Sequence, residues 1–250
     1  MLFALRMLLL SVHFVVATLA GLTVCILRPF NPENTPLCAR LYALPALRIL
    51  GLRVRLDPSV VADQPRPAVI VANHLSNHDL FVFGQVVPHR TVSLGKQSLK
   101  WLPLFGQLYW LAGNVLIQRG NAVRARQAMT QLNDTLHARD ISIWIFAEGT
   151  RSHGRGLGPF KKGAFQLAIN AGVPIVPICS NNYVRQMRLN RWHSGDVILK
   201  ALPPISTEGL GADDVPALMA RCHAEMAACI AELDRQASSE PATDRNATPA

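Results

Sequence analysis

Charge is scarce in this sequence. Asp, Glu, Lys and Arg make up 16% of it, while half of the residues are hydrophobic, so the chain can fill a large core and still leave apolar surface. Acidic residues are the scarcer sign, 16 against 25 basic ones, and the net charge is +9. That balance suits an anionic partner: nucleic acid, a phospholipid surface or a phosphorylated substrate. Zinc-finger spacing, an RNA-binding aromatic signature and any basic run of five or more are missing, which argues against nucleic acid. The five cysteines, Cys25, Cys38, Cys179, Cys222 and Cys229, are odd in number and contain no CxxC pair. They read as reduced, mostly buried thiols in a cytosolic compartment, not as disulfides or metal ligands. No GxSxG elbow is present, so a thioesterase-like or lipase-like hydrolase using Ser76 or His74 finds weak support. No internal repeat is visible, and 250 residues suit one α/β domain with an appended segment.

What the chain does have begins at the N-terminus. Met7 to Leu27 carry no charge. As a helix these residues would rise about 32 Å, enough for a bilayer core of about 30 Å. A cleaved signal peptide fits poorly, because the run is long and Arg28, Pro29 and Phe30 follow it instead of a small-x-small site. A buried helix of a soluble fold is the other alternative. In a second segment, Cys38 to Leu50, leucines recur at 41, 44, 47 and 50, and Pro45 is expected to kink the helix. Two helices lying in one leaflet fit as well as one that crosses. The Lys and Arg residues of the main body place it on the cytoplasmic side. The division expected is therefore residues 1–50 as membrane-associating helices, 51–236 as the main domain and 237–250 as a disordered tail.

From Gly51 onward, short β-rich runs alternate with helical patterns. Strands are expected at Arg53–Leu56, Ala68–Ala72, Thr91–Leu94, Val115–Gln118, Ile141–Phe146, Ile175–Ile178 and Val197–Ala201. Two of them, Ala68–Ala72 and Ile141–Phe146, are nearly all apolar, as strands covered on both faces should be. Helices are expected at Asn121–Arg139, Phe165–Ala171 and about Asp213–Gln236. The fold class is α/β, a mostly central sheet flanked by helices and preceded by the hydrophobic N-terminal segment. Val173-Pro174-Ile175-Val176-Pro177-Ile178 carries two prolines, which points to an edge strand.

Chemistry concentrates where buried strands end. Asn73-His74-Leu75-Ser76-Asn77-His78-Asp79 follows the first of them, the place where open α/β sheets put ligand sites. If a helix starts near Ser76 or Asn77, Asp79 can fold back and fix the tautomer of His74, leaving the other ring nitrogen to accept a proton. A hydroxyl must lose a proton as it attacks an acyl carbonyl, so such a pair fits acyl transfer. An Asn–His turn that merely caps a helix is the plain alternative. His78 is a second candidate base, and with His74 it has the i, i+4 spacing of a zinc pair, but no further ligand pair accompanies it.

Phe146-Ala147-Glu148-Gly149-Thr150-Arg151-Ser152 follows the second buried strand, with Arg155, Lys161 and Lys162 close behind. Gly149 lets the backbone approach a ligand, and the cations suit phosphate. A solvated basic loop is the alternative. Glu148 at the end of an apolar run needs a partner, either Arg151 or a substrate hydroxyl. Lys96 and Arg119 each end an apolar run and can enter the same basic pocket. Between them, Trp101, Leu102, Leu104, Phe105, Leu108, Tyr109, Trp110 and Leu111 divide between core packing and contact with a membrane or an acyl chain.

At these residues the chain resembles the bacterial 1-acyl-sn-glycerol-3-phosphate acyltransferases. Its NHxxxxD, GKxSL…PxFG…GxxxIxR, FxEGTRS and VPIVPI elements stand in that family's order and approximate spacing, over roughly residues 51–205. The resemblance implies transfer of a fatty acyl group from acyl-CoA or acyl carrier protein to the sn-2 hydroxyl of lysophosphatidic acid, yielding phosphatidic acid for phospholipid biosynthesis. It implies His74 as general base oriented by Asp79. Glu148, Gly149, Thr150 and Arg151 become the glycerol-phosphate-binding element, with Lys96 and Arg119 as further phosphate contacts. No metal or other cofactor is implied, and the site belongs at the cytoplasmic face of the cell inner membrane. Acyl transfer to another lysophospholipid or lyso-aminolipid is a related alternative. A non-catalytic basic membrane-binding protein would explain the charge and the N-terminus but not two polar turns after buried strands.

Overall fold

The computed structural model describes residues 1–118, 132–133 and 135–239. Helices α1 (Leu2–Leu27) and α2 (Asn34–Leu50) come first, followed by β1 (Leu52–Leu56) and a one-turn helix α3 (Pro58–Val61). Then come β2 (Val69–Ala72), α4 (Asp79–Val82), β3 (Thr91–Lys96), α5 (Phe105–Leu111), β4 (Val115–Ile117) and β5 (Ser142–Phe146). The chain continues through α6 (Gly163–Ala171), β6 (Ile175–Ser180), α7 (Tyr183–Gln186), β7 (Gly195–Ala201) and α8 (Val215–Ser239). Each expected strand occurs, with ends moved by one or two residues.

The seven strands form one sheet in the order β1-β7-β6-β2-β5-β3-β4. Strands β6, β2, β5, β3 and β4 are mutually parallel, and β7 joins antiparallel to β6. The C-terminal ends of the parallel strands therefore share one edge, and the segments after β2, β3, β5 and β6 meet there. Side chains alternate between two cores, as the period of a strand dictates. Val69, Val71, Ile143 and Ile145 face α6 and α8, whereas Ile70, Ala72 and Trp144 face α2 and α4. Both faces of the inner strands are covered, which is why β2 and β6 are buried at every position.

Two expectations need correction, and a third is met only in part. The segment containing Pro174 and Pro177 is not an edge strand, since β6 pairs with β2 on one side and β7 on the other. Pro174 lies just before β6, and Pro177 sits between the ladder that starts at Ile178↔Ala201 and the isolated bridge Ile175↔Ile205. The Pro177 carbonyl accepts from the Leu202 N–H, so its missing donor falls in a gap where no ladder bond is required. Helix α2 runs unbroken through Pro45, and its leucine stripe is only partly turned inward. Leu44 is exposed, and Cys38, Ala39, Tyr42, Ala43, Ala46, Leu47 and Leu50 pack inward. A repeat of three drifts around a helix of 3.6 residues per turn, and α2 comes close to the chain at Gly84, where a Cβ would meet the Ala39 carbonyl at 2.7 Å. Finally, α8 runs to Ser239, past the expected start of the tail. Most of the helix expected at 121–139 lies outside the described residues; Leu132, Asn133 and residues 135–138 are helical.

Helix α1 is the one helix among the described residues long and apolar enough to cross a membrane. It packs on α2 and α5 through Ala17, Thr18, Gly21 and Cys25. A Cβ at Gly21 would stand 2.6 Å from the Leu108 side chain, so glycine permits this approach. The opposite stripe, including Leu8, Val12, Val15, Val16 and Leu19, is exposed.

Near the other end, Arg6 is buried and its guanidinium donates to the carbonyls of Leu189 (2.8 Å), Arg191 (2.6 Å) and Trp192 (2.6 Å) and to Ser194 Oγ (2.5 Å). One cation thus ties the start of α1 to the loop before β7. Gly51, the left-handed cap of α2, lies so close that a Cβ there would meet Arg6 at 2.3 Å. Arg6→Ala is expected to lower unfolding free energy by about 3 kcal/mol, since charged hydrogen bonds to buried acceptors are lost. Arg6→Lys, with three donors on a point charge, should recover part of it. Denaturant titration of the detergent-solubilised chain checks both, and equal stability of Arg6→Ala and wild type would refute the anchor.

Candidate active site

The segment after β2 leaves the sheet at Asn73, whose amide exchanges hydrogen bonds with the Ser180 backbone at the end of β6. This locks the start of the turn to the neighbouring strand. Helix α4 then begins at Asp79, a little later than the sequence suggests, and the Asp79 carboxylate folds back over the turn. Its Oδ2 accepts from His74 Nδ1 (2.7 Å), the Leu75 N–H (2.6 Å) and the Ser76 N–H (3.0 Å). Its Oδ1 accepts from the Tyr183 hydroxyl (2.5 Å). Four donors on a carboxylate that is 1% exposed offset the loss of water that burial imposes on a charge. With Nδ1–H committed to Asp79, the lone pair of His74 is on Nε2. The imidazole is partly exposed and lies flat on Phe146, with ring centroids 4.1 Å apart and planes at 16°.

The loop after β5 is stitched to this turn. Glu148 Oε1 accepts the His74 N–H (2.7 Å) and Oε2 the Gly158 N–H (2.8 Å). In return the Ser152 N–H donates to the His74 carbonyl and the His153 N–H to the Leu75 carbonyl. The expected partner of Glu148 was Arg151 or a substrate hydroxyl; backbone N–H groups fill that role, because each loop leaves donors at the sheet edge that no ladder satisfies. Burial raises the Glu148 pKa against the opposing pull of the His74 and Gly158 N–H groups. A Cβ at Gly158 would stand 2.8 Å from the carboxylate, so a side chain is excluded there.

The sequence profile of the Acyltransferase family matches residues 54–181, a span that contains both loops. The 1-acyl-sn-glycerol-3-phosphate acyltransferase of Salmonella typhimurium is 40% identical over 98% of this chain and 100% of its own length. The human 1-acyl-sn-glycerol-3-phosphate acyltransferase alpha is 38% identical over 85% of this chain and 76% of its own.

The chain belongs to the Acyltransferase family.

Its fold is similar to the crystal structure of the 1-acyl-sn-glycerophosphate (LPA) acyltransferase from Thermotoga maritima, with a TM-score of 0.70 and 20% identity over 96% of this chain and 99% of that one.

Within this acyltransferase the remaining sequence candidates divide. Gly149 adopts φ +69, a left-handed turn, and the Lys161 side chain lies beside it. Thr150, Arg151, Lys161 and Lys162 are exposed around that turn, and Lys96 is exposed where β3 ends on the same edge. Arg119 lies outside the described residues. His78 caps α4 and contacts Ser76 rather than a carboxylate; burial lowers its pKa while Asp79 pulls the other way. Among the described residues, no three His, Cys, Asp or Glu side chains converge as a metal-ligand set.

The aromatic stretch splits between its two readings. Leu108 is buried, whereas Trp101, Leu102, Leu104 and Trp110 are exposed. Tyr183 was not anticipated. It follows the last motif, 104 residues beyond Asp79, and nothing local marks it.

Glu148→Gln should place an amide NH₂ against a backbone N–H and loosen the junction, with activity and stability falling together. Because the folded pKa of Glu148 is raised, the folded state holds more proton than the unfolded chain above the ordinary carboxylate value of about 4.3. Wild type should therefore gain stability relative to Glu148→Gln as pH falls from 7 toward that value. Parallel stability curves for the two proteins would contradict a strained buried carboxylate.

Proposed function

We propose that this acyltransferase moves a fatty acyl group from a thioester, acyl-CoA or acyl carrier protein, to the sn-2 hydroxyl of lysophosphatidic acid, forming phosphatidic acid. The observation that carries the reading is His74 Nδ1 held 2.7 Å from Asp79 at the sheet edge, next to a glycine turn ringed by exposed cations. The relatives that share nearly the whole chain are named for that reaction. His74 Nε2 takes the hydroxyl proton as the oxygen attacks the thioester carbonyl; Asp79 stabilises the imidazolium that forms. The proton then passes to the departing thiolate. A thioester is reactive enough that no enzyme nucleophile is needed, and the main task is to hold two lipid-like substrates in line. Gly149, Thr150 and Arg151, with Lys96 and Arg119, take the phosphate by charge and by backbone N–H groups. Glu148 supports that surface from beneath by joining the two loops.

The same reading puts the chain on the cytoplasmic face of the inner membrane, with α1 lying within one leaflet. Both ends of α1 are fastened to one body: Arg6 to the loop at 189–194, Cys25 and Gly21 to α2 and α5. A helix crossing the bilayer would carry one of these two attachment points, and the part of the fold it is fastened to, across hydrocarbon, where exposed loop backbone is costly. Its exposed stripe, the protruding Trp101, Trp110 and Trp192, and the net charge of +9 suit an interface of anionic lipid.

His74→Ala should abolish transfer, a loss on the order of 10²–10⁴-fold or more, with folding and vesicle binding intact. Arg151→Ala should raise KM for lysophosphatidic acid on the order of tenfold with kcat nearly unchanged. Acyl transfer assayed with each donor measures both; a fall in kcat alone for Arg151→Ala would remove that residue from phosphate binding. For the membrane arrangement, single cysteines introduced at Leu2 and Asn31 should react with an impermeant reagent from the same side of sealed membranes. Labelling from opposite sides would establish a crossing helix instead.

A further inference from the structure

We infer that Tyr183 is a positioning residue of the acyl-transfer site, whose hydroxyl fixes the Asp79 carboxylate and sets how strongly it draws the proton of His74. This rests on the reading of His74 as general base. The Tyr183 side chain is fully buried, and its hydroxyl lies 2.5 Å from Asp79 Oδ1 and 3.0 Å from Ser76 Oγ. A phenol has one hydrogen, and an ionised carboxylate accepts only, so that hydrogen lies toward Asp79. Ser76 is then the donor to Tyr183, and Ser76 Oγ in turn accepts the His78 N–H at 3.0 Å. Three hydrogen bonds thus point one way, from the His78 backbone through Ser76 and Tyr183 to Asp79, and such a chain polarises each member toward the carboxylate.

The frame that carries Tyr183 is stiff. Asn181 bridges to β7 through the Ile198 N–H and the Asp196 carbonyl. The Asn182 N–H donates to Asp234 on α8, and the Asn182 side chain donates to the Gly154 carbonyl in the loop after β5. Tyr183 is therefore placed by the end of β6, by α8 and by that loop together, and its hydroxyl has no freedom to follow solvent. Burial and the Asp79 charge hold its pKa well above the ordinary value, so it stays a donor throughout the working range. The titratable groups that face Asp79 among the described residues are His74, His78, Glu148 and Tyr183.

The consequence has a sign. A proton donor on Oδ1 withdraws charge from Asp79, and so weakens the carboxylate's pull on the His74 Nδ1–H. Removing the donor concentrates charge on the carboxylate, strengthens the His74–Asp79 bond and favours the imidazolium. The base then loses its proton only at higher pH. A stronger donor at the same place does the reverse.

The test compares wild type, Tyr183→Phe and a chain with 3-fluorotyrosine incorporated at position 183, each as the full chain in detergent with lysophosphatidic acid and acyl-CoA. Two quantities are read: the proton resonance of His74 Nδ1–H and the acidic limb of kcat/KM against pH. In Tyr183→Phe the resonance should move downfield and the limb to higher pH, and because the carboxylate loses the bond that fixes its orientation, kcat should drop on the order of tenfold while KM for both substrates holds. Fluorotyrosine, the better donor with the same ring, should move resonance and limb the opposite way. It also guards against a Phe variant that packs poorly. If the resonance stays put in both variants, Tyr183 is packing alone and the inference is overturned, whatever the rates do. If the resonance moves in opposite directions but the limb and kcat do not follow, the general-base reading of His74 is what fails, and the part of Tyr183 in catalysis goes with it.

Discussion

A carboxylate removed from water holds this site together. Asp79 is 1% exposed, and the free energy of its burial is balanced by four donors drawn from three places: an imidazole, two backbone N–H groups of its own turn and a phenol from the segment after the neighbouring strand β6. Each donor is fixed by that charge as much as it stabilises it. The turn cannot open without exposing Asp79 to an unsatisfied state, and the imidazole cannot rotate without giving up its Nδ1 partner. Orientation, tautomer and local backbone thereby become one constraint. This is the form of preorganisation that general base catalysis needs, since the geometry is settled before substrate arrives.

Glu148 plays the corresponding part between loops. Its two oxygens take N–H groups from segments on either side, and the Ser152 and His153 N–H groups close the junction from the other direction. The exposed cations beyond Gly149 are thus referenced to the His74 backbone. In the proposed reaction a phosphate held by those cations would sit in a defined relation to the imidazole, and substrate binding would thereby be linked to proton transfer. Because the buried carboxylates are consumed by hydrogen-bond donors, the surface around Gly149 keeps its positive charge.

The N-terminal helices solve a different problem. An acyl chain and a lysolipid are poorly soluble, and the proposed reaction would meet them at a lipid surface. Helix α1 keeps one stripe for the protein and one exposed apolar stripe, while Arg6 fastens its beginning to carbonyls of the loop before β7. A cation with four acceptors inside the fold is a strong register device: a helix rotated by one residue would take the guanidinium off those acceptors and leave the carbonyls unpaired.

Much of this was legible in the residues. Apolar runs broken by turn-formers marked all seven strands, because strand burial and chain reversal are written locally. The polar clusters directly after two such runs marked His74, Asp79 and Glu148, because a parallel sheet opens its ligand edge at strand ends. Partners separated along the chain were not legible. Glu148 meets His74 across 74 residues and Tyr183 meets Asp79 across 104, and nothing near either residue announces the other. The two prolines of β6 misled for the same reason: whether a missing N–H matters depends on what lies alongside, and there it is a gap between β7 and the Ile205 bridge. By itself, then, the amino-acid order determined the element types, the ends at which chemistry would gather and the family. Tertiary structure alone decided strand order, which donors answer each buried carboxylate and which face of each helix is covered, because those depend on contacts between segments that only the closed sheet brings within hydrogen-bonding distance.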